Sequence, residues 1–80
     1  MQRLLVVDDE PDIITGFERV LARREVVISS AGSGEQALEA VRRNRPDVIF
    51  LDLRLPGMDG LETLKKLRAH DQKMIIILMT

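Results

Sequence analysis

The chain alternates short apolar runs with amphipathic helical patterns, and this alternation constrains its fold more than any other feature. The apolar runs occupy residues 4–7, 26–28, 48–51 and 74–79. Runs of this length, rich in β-branched residues and closed by polar ones, are typical of strands buried on both faces. Helices between successive strands imply right-handed crossovers and a parallel sheet. The sequence therefore predicts an α/β fold, with one domain over residues 1–80.

Helix signals separate the four predicted strands. Pro11 suits a first helical turn, and capping-box spacings occur at Ser33 with Gln36 and at Asp59 with Glu62. Apolar residues at helical spacing follow each start, namely Ile13, Ile14, Phe17, Val20 and Leu21, then Ala37, Leu38 and Val41, then Leu61, Leu64 and Leu67. We expect three helices, with a loop at residues 31–34 before the second.

Composition argues against several classes of protein. The formal net charge is −1, so the basic face typical of nucleic-acid binding is not expected, and we predict no direct contact with nucleic acid. The amino terminus lacks the long apolar stretch of a signal peptide or a membrane span. The chain has no cysteine, which excludes disulfides and thiolate metal sites. We expect a cytoplasmic protein without membrane contacts.

Two predicted strands end in aspartate. Val7 leads into Asp8 and Asp9, and Leu51 leads into Asp52. Because ligands bind at the carboxyl ends of parallel strands, three carboxylates would converge there if these two strands were neighbours. Their mutual repulsion favours a bound divalent cation, and the oxygen ligands favour Mg²⁺, which is commonly shared with phosphate. An aspartate at such a site can itself accept a phosphoryl group.

A structural role is the alternative for these acids. Asp9 lies two residues before Pro11, where it could cap the first helix. Asp52 ends an apolar strand with no obvious helix directly after it, so capping explains little there. The spacing leaves helix capping and cation binding both open for Asp9, and favours a functional acidic site for Asp52.

Two segments of the sequence resemble bacterial response-regulator receiver domains. Residues 5–11, LVVDDEP, are similar to the opening motif of that family, and residues 47–60, DVIFLDLRLPGMDG, are similar to its phosphoacceptor segment. The two segments lie at the separation usual in the family, and the resemblance covers the whole chain but part of a family domain. Residues 53–60 further resemble receivers of enhancer-binding transcriptional activators.

The resemblance implies a role for each acidic position. Asp52 would accept a phosphoryl group from a sensor histidine kinase, with Mg²⁺ as the cofactor. Asp9 would bind Mg²⁺ directly, and Asp8 would help through water. Arg54 would offer its backbone carbonyl to the metal, so its side chain needs no role. Thr80 would be the switch hydroxyl that moves to hydrogen-bond the phosphoryl group.

The resemblance also implies a flavodoxin-like sheet of order 2-1-3-4 that lacks the last βα part of the family fold. The family continues past the position of Thr80, and its fifth strand ends in a lysine that pairs with the phosphoryl group. Lys73 precedes the fourth strand, so it lies at the wrong end to substitute. We therefore expect impaired phosphorylation, an output domain outside this chain, and self-association or complementation through the exposed strand 74–80.

Two other interpretations stay open. The chain could be an inactive or engineered receiver fragment that acts only as a folding or association unit. An aspartate-dependent phosphohydrolase is less favoured, because it would usually place a second aspartate two positions after the nucleophile, where Arg54 stands. We expect no enzyme activity beyond self-phosphorylation and self-dephosphorylation.

Overall fold

A computed structural model describes residues 2–22, 24–55 and 59–79. Strands and helices alternate along the chain as β1 (Gln2–Val7), α1 (Pro11–Val20), β2 (Val26–Ala31), α2 (Gly34–Arg43), β3 (Val48–Asp52), α3 (Gly60–His70) and β4 (Ile75–Met79). The strands form one sheet of order β2-β1-β3-β4, and every neighbouring pair is parallel. The predicted α/β class and the strand order are confirmed.

The register of the sheet places the ends of β1 and β3 side by side. Val7 pairs with Leu51 across these two strands. On the far side of β3, Asp52 pairs with Met79 of β4. The residues that follow Val7 and Leu51 therefore emerge together at the carboxyl edge of the sheet.

Helices cover both faces of the sheet, but unequally. The main core lies under α2 and α3, and it contains Leu5, Val7, Ala31, Ala37, Val41, Ile49, Leu51, Leu55, Leu67 and Met74. On the opposite face, the ring of Phe17 in α1 packs on Phe50 of β3 with centroids 4.8 Å apart. α1 has no fully buried residue, whereas α2 and α3 each bury three. The α2–α3 face is therefore the better-packed one.

The central strand β1 differs from the two edge strands in burial. Four consecutive residues of β1, Leu4–Val7, are buried, as expected for a strand covered on both faces. β2 and β4 lie at the edges and are largely exposed. Edge position also explains one difference from the sequence expectation. β2 continues through Ser29 and Ser30 to Ala31, because these residues pair with β1 and an edge strand tolerates exposed polar side chains.

Capping contacts fix the starts of α2 and α3. Ser33 Oγ accepts a hydrogen bond from the Gln36 amide at 3.2 Å, and Asp59 Oδ1 accepts one from the Glu62 amide at 2.7 Å. The Gln36 side chain accepts from Gly32 N rather than from the capping residue itself. No helix within residues 2–22, 24–55 and 59–79 has the length and hydropathy that a membrane span requires.

Candidate functional site

The three aspartates that follow β1 and end β3 form one cluster. Asp8, Asp9 and Asp52 each offer a carboxylate oxygen, and these oxygens all lie within 4.8 Å of one another. Asp8 is buried with 6% of its surface exposed, Asp52 is half-buried, and Asp9 is exposed. The convergence predicted from the strand ends is therefore present, and its carboxylates lie at the carboxyl edge of the sheet.

Backbone amides orient two of these carboxylates. Asp8 Oδ1 accepts a hydrogen bond from Glu10 N at 2.9 Å, and Asp52 Oδ1 accepts one from Arg54 N at 2.8 Å. Both bonds run from the amide two residues further on, which is the local pattern that aspartate favours where a strand enters a loop. Each carboxylate is thus held by the chain that immediately follows its strand.

Helix capping does not account for Asp9. The N-cap residue of α1 is Glu10, and its side chain makes no capping hydrogen bond. Pro11 occupies the first helical turn, as predicted. Of the two roles that the spacing left open for Asp9, its place in the cluster favours cation binding.

A shallow depression of about 240 Å³ opens beside two of the clustered aspartates, Asp8 and Asp52. It is lined by Asp8, Glu10, Ile13, Asp52, Arg54 and Met79. A larger cavity of about 660 Å³ runs between α2 and the edge strand β2, but its lining has Glu39 as its one acid and holds none of the clustered aspartates. Chemistry rather than volume identifies the functional site, because three convergent carboxylates are costly to hold together without a cation.

Comparison with known proteins decides the family of the chain. Its residues 4–80 match the family model described as the response regulator receiver domain. The chain belongs to the receiver domain family.

Curated relatives of this receiver domain include signalling proteins of several bacteria. It is 37% identical over 79 residues to sporulation initiation phosphotransferase F of Bacillus subtilis, covering 99% of this chain and 64% of the relative. It is 44% identical over 77 residues to the DNA-binding response regulator MtrA of Mycolicibacterium smegmatis, covering 96% of this chain and 34% of that protein. The chain spans 33% to 38% of the length of six further curated relatives.

Solved structures share the fold of this receiver domain. The N-terminal domain of a response regulator receiver protein from Methanoculleus marisnigri superposes with a TM-score of 0.93 at 34% identity, covering 100% of this chain and 67% of that one. The response regulator TrrA of Thermotoga maritima, solved in complex with Mg²⁺-BeF, superposes with a TM-score of 0.89 at 37% identity, covering 98% of this chain and 68% of that one.

Family membership gives the acidic cluster its general meaning. Receiver domains are the phosphoryl-accepting signalling modules of two-component systems, and they generally bind Mg²⁺ at an acidic pocket. The donor set of this receiver domain fits such an ion, because three carboxylates supply only hard oxygen ligands. Asp8, Asp9 and Asp52 are the residues that would hold it.

Two further positions, Arg54 and Thr80, were predicted at this site. Arg54 lies beside the cluster, because it lines the depression and its backbone amide donates to Asp52 Oδ1. Thr80 lies outside the described residues, as do residues 56–58 of the second motif. Sequence reasoning missed Glu10, Ile13 and Met79 as lining residues. Met79 reaches the site because it pairs with Asp52 across β3 and β4, and this pairing is known only from the assembled sheet.

Proposed function

We propose that this receiver domain accepts a phosphoryl group on Asp52 from a sensor histidine kinase in the presence of Mg²⁺. The supporting observation is the cluster in which Asp52 ends β3 with its carboxylate beside those of Asp8 and Asp9. The proposed transfer forms a bond between phosphorus and a carboxylate oxygen of Asp52, while the bond between phosphorus and the kinase histidine breaks.

Each carboxylate has a distinct part in this proposal. Asp9 is the exposed member and binds the metal directly, whereas the buried Asp8 acts through water. Asp52 Oδ1 already accepts the Arg54 amide, so we assign the attack to Oδ2. Bound Mg²⁺ supplies positive charge that neutralises the phosphoryl oxygens. The Arg54 carbonyl as a metal ligand and Thr80 as the switch hydroxyl complete the proposal.

The test is a phosphorylation assay read by intact mass. The chain, an Asp52→Asn variant and an Asp12→Asn control are incubated with Mg²⁺ and phosphoramidate. Asp12 is an exposed acid in the first turn of α1 that lies outside the cluster. We expect one phosphoryl group to be added, at an impaired rate, to the parent and to the control, and none to Asp52→Asn.

Three results would contradict this proposal. Addition to Asp52→Asn would refute Asp52 as the acceptor. Absence of addition to the parent would favour the alternative of an inactive fragment that serves only as a folding or association unit. Continuous release of phosphate from an ester substrate would instead favour a phosphohydrolase.

We also propose that the 80-residue chain associates through β4, with a second copy or with a complementing segment. β4 pairs with β3 on one side and is an edge of the sheet in the described residues. Ile75, Ile77 and Leu78 are 58%, 44% and 45% exposed. A long apolar edge strand is a template for further strand pairing. This proposal further includes an output domain that responds to phosphorylation, a cytoplasmic location and an origin in an enhancer-binding activator.

A further inference from the structure

β2 is an edge of the sheet in the part of the chain that the structure describes. The Asp8 amide donates to Ala31 O at 3.0 Å, so the carbonyl of Ala31 faces β1. Residues that bond to one neighbour alternate along a parallel strand. Ser29 therefore also faces β1, whereas Ile28 and Ser30 direct their N–H and C=O groups away from the sheet. These outward groups are placed to pair with a further strand.

β2 also lacks the features by which edge strands usually resist such pairing. Protected edges are very short, bulged, charged or interrupted by proline. β2 runs over six residues, VVISSA, in unbroken register with β1, and it contains no charged residue and no proline. Its Val and Ile residues are β-branched and suit a pleated surface. The edge is therefore suited to β-augmentation, in which an extended peptide adds to a sheet as a new strand.

A groove beside this edge would receive side chains of the added strand. The cavity of about 660 Å³ has Leu5, Val27 and Ser29 in its floor, and its wall is one face of α2 that contains Gln36, Glu39, Ala40 and Arg43. Val27 is 43% exposed, so the groove is open on the β2 side. Because a strand projects alternate side chains to the same face, every second side chain of an added strand would reach this groove.

The end of the groove beside the start of β2 carries two exposed arginines, Arg3 and Arg43. Arg43 Nε pairs with Glu39 Oε1 at 3.2 Å. The Arg3 guanidinium instead donates to the neutral side-chain amide of Asn44, at 2.9 Å. The Asp47 carboxylate accepts the Arg3 backbone amide at 2.7 Å, and Arg3 is in none of the ion pairs found within residues 2–22, 24–55 and 59–79. This charge favours an acidic partner.

We propose that β2 and this groove bind an extended, acidic peptide segment of a partner protein. The segment lies beside β2, and its backbone bonds to the outward groups of Ile28 and Ser30. Its apolar side chains enter the groove over Val27, and a carboxylate near its end meets Arg3. The described lining of the groove contains none of the three clustered aspartates, so this site is separate from the acidic cluster and does not depend on phosphorylation.

The test is binding of a fluorescein-labelled peptide to the 80-residue chain, measured by fluorescence anisotropy. In this peptide threonine and valine alternate, and two glutamates form the carboxyl-terminal end. A comparison peptide has lysines in place of the glutamates. We expect the lysine peptide to bind about five-fold more weakly, because it loses the attraction to Arg3.

The backbone contribution is tested at Ser30, whose side chain is exposed. Ser30→Pro removes an outward N–H and no bond to β1, which is the position at which an edge strand tolerates proline. Ser30→Ala is the matched control, because it removes the hydroxyl and keeps the N–H. We expect the dissociation constant of the glutamate peptide to rise about three- to ten-fold for Ser30→Pro and to stay unchanged for Ser30→Ala.

The charge contribution is tested by Arg3→Gln. The control is Arg42→Gln, which removes an exposed charge of α2 that does not line the groove. We expect Arg3→Gln to raise the dissociation constant about two- to five-fold and to flatten its dependence on salt concentration, and Arg42→Gln to bind like the parent. Urea unfolding of each variant shows whether it is folded.

Several outcomes would overturn the proposal. Equal binding of the two peptides would exclude an acidic partner. Binding that survives Ser30→Pro but is lost in Ile77→Lys would place the peptide at β4 instead. A folded parent that binds neither peptide, but whose concentration-dependent mass is abolished by Ser30→Pro, would assign the edge to a second copy. If Ser30→Pro does not fold, equal dissociation constants for Arg3→Gln and Arg42→Gln would be decisive against it.

Discussion

Gly60 begins α3 directly against the strand that carries Asp52. A Cβ placed on Gly60 would lie 2.3 Å from Leu53 Cα and 2.6 Å from the Asp52 carbonyl oxygen. Both are backbone atoms, so no side-chain rotation could relieve the contact. The Gly60 amide also donates to Leu53 O at 3.3 Å. The helix can therefore approach the acidic segment this closely only with glycine at its first position.

Replacement of this glycine should disturb both stability and the site. We expect Gly60→Ala to lower the free energy of unfolding by about 1–3 kcal/mol, as overpacking does, and to weaken Mg²⁺ binding. Gly16→Ala is the matched control, because Gly16 lies in the middle of α1 and a Cβ added there would have no atom within 4 Å. Alanine should stabilise that helix by up to about 1 kcal/mol. Urea unfolding measures the free energy of unfolding of both variants. An unchanged unfolding midpoint for Gly60→Ala would contradict the predicted steric clash.

One ion pair, between Arg45 and Asp71, makes the stability of the fold depend on pH in the acid range. Arg45 Nε donates to Asp71 Oδ2 at 2.5 Å, and this bond, followed by one from the Lys73 amide, holds the pKa of the Asp71 carboxyl below its usual value of 3.8. Because the folded-state pKa is depressed, the pair stabilises the protein above the unfolded pKa. That contribution is lost as the pH falls through the lower folded pKa.

The prediction concerns the difference between the parent and Arg45→Gln. We expect Arg45→Gln to have the lower Tm at pH 7, with the gap narrowing once the pH drops below 3.8. Thermal unfolding followed by circular dichroism at several pH values measures this gap. Arg42→Gln is the control for charge, since Arg42 is in none of the ion pairs among the described residues. A gap that stays constant with pH would rule out the pair as its source.

At the scale of the elements, the three helices differ in how they begin. α2 begins with a hydrogen bond to Ser33 Oγ, whereas the N-cap of α1, Glu10, makes no such side-chain bond. We expect Ser33→Ala to lower the free energy of unfolding by about 1 kcal/mol. Glu10→Ala removes no capping bond and should leave it nearly unchanged. Equal losses in urea unfolding for both variants would contradict this difference.

The boundaries of the elements show what the sequence could predict. The apolar runs identify all four strands, and Ser33 and Asp59 mark the starts of two helices. The burial on both faces that was expected of these runs is found in the central strand β1, whereas the edge strands β2 and β4 are largely exposed. The extension of β2 through Ser29 and Ser30 is not visible in the sequence. Polar residues there resemble a loop, and only pairing with β1 makes them a strand.

The candidate site was predictable to the extent that it depends on strand ends. Asp8, Asp9 and Asp52 each follow or end an apolar run, and parallel strands bring such ends together. Arg54 is a different case. No periodic pattern places it, because it lies in the loop after β3, and its expected backbone role came from the family resemblance. The assembled structure puts Arg54 among the residues that line the depression.

At the scale of the whole molecule, the strand order follows from more than local pattern. The four apolar runs are alike in composition, so physical reasoning predicts a parallel sheet without ordering it. The order 2-1-3-4 came from the family resemblance, and the sheet confirms it. This order leaves β2 and β4 at the two edges, which differ in how apolar they are.

The apolar edge should control association of the 80-residue chain. We expect Ile77→Lys to suppress the rise of average mass with concentration and to hold the chain at its monomer mass of 9.1 kDa. Val27→Lys is the matched control at the opposite edge, because Val27 is 43% exposed and Ile77 is 44% exposed. Sedimentation velocity measures both. A parent that stays monomeric at every concentration, or an equal effect of Val27→Lys, would refute association through β4.

The light packing of α1 has a consequence for motion. Because α1 buries no residue fully and meets the sheet through Phe17 and Phe50, it should detach locally more often than α2 or α3. Asp9 lies in the segment that joins β1 to α1, so each detachment of α1 also displaces Asp9 from the other two aspartates. A cation held at Asp9 would make that opening rarer. Amide hydrogen exchange should therefore be fastest in α1, and added Mg²⁺ should slow it there more than elsewhere, so that the helix reports on the state of the cluster.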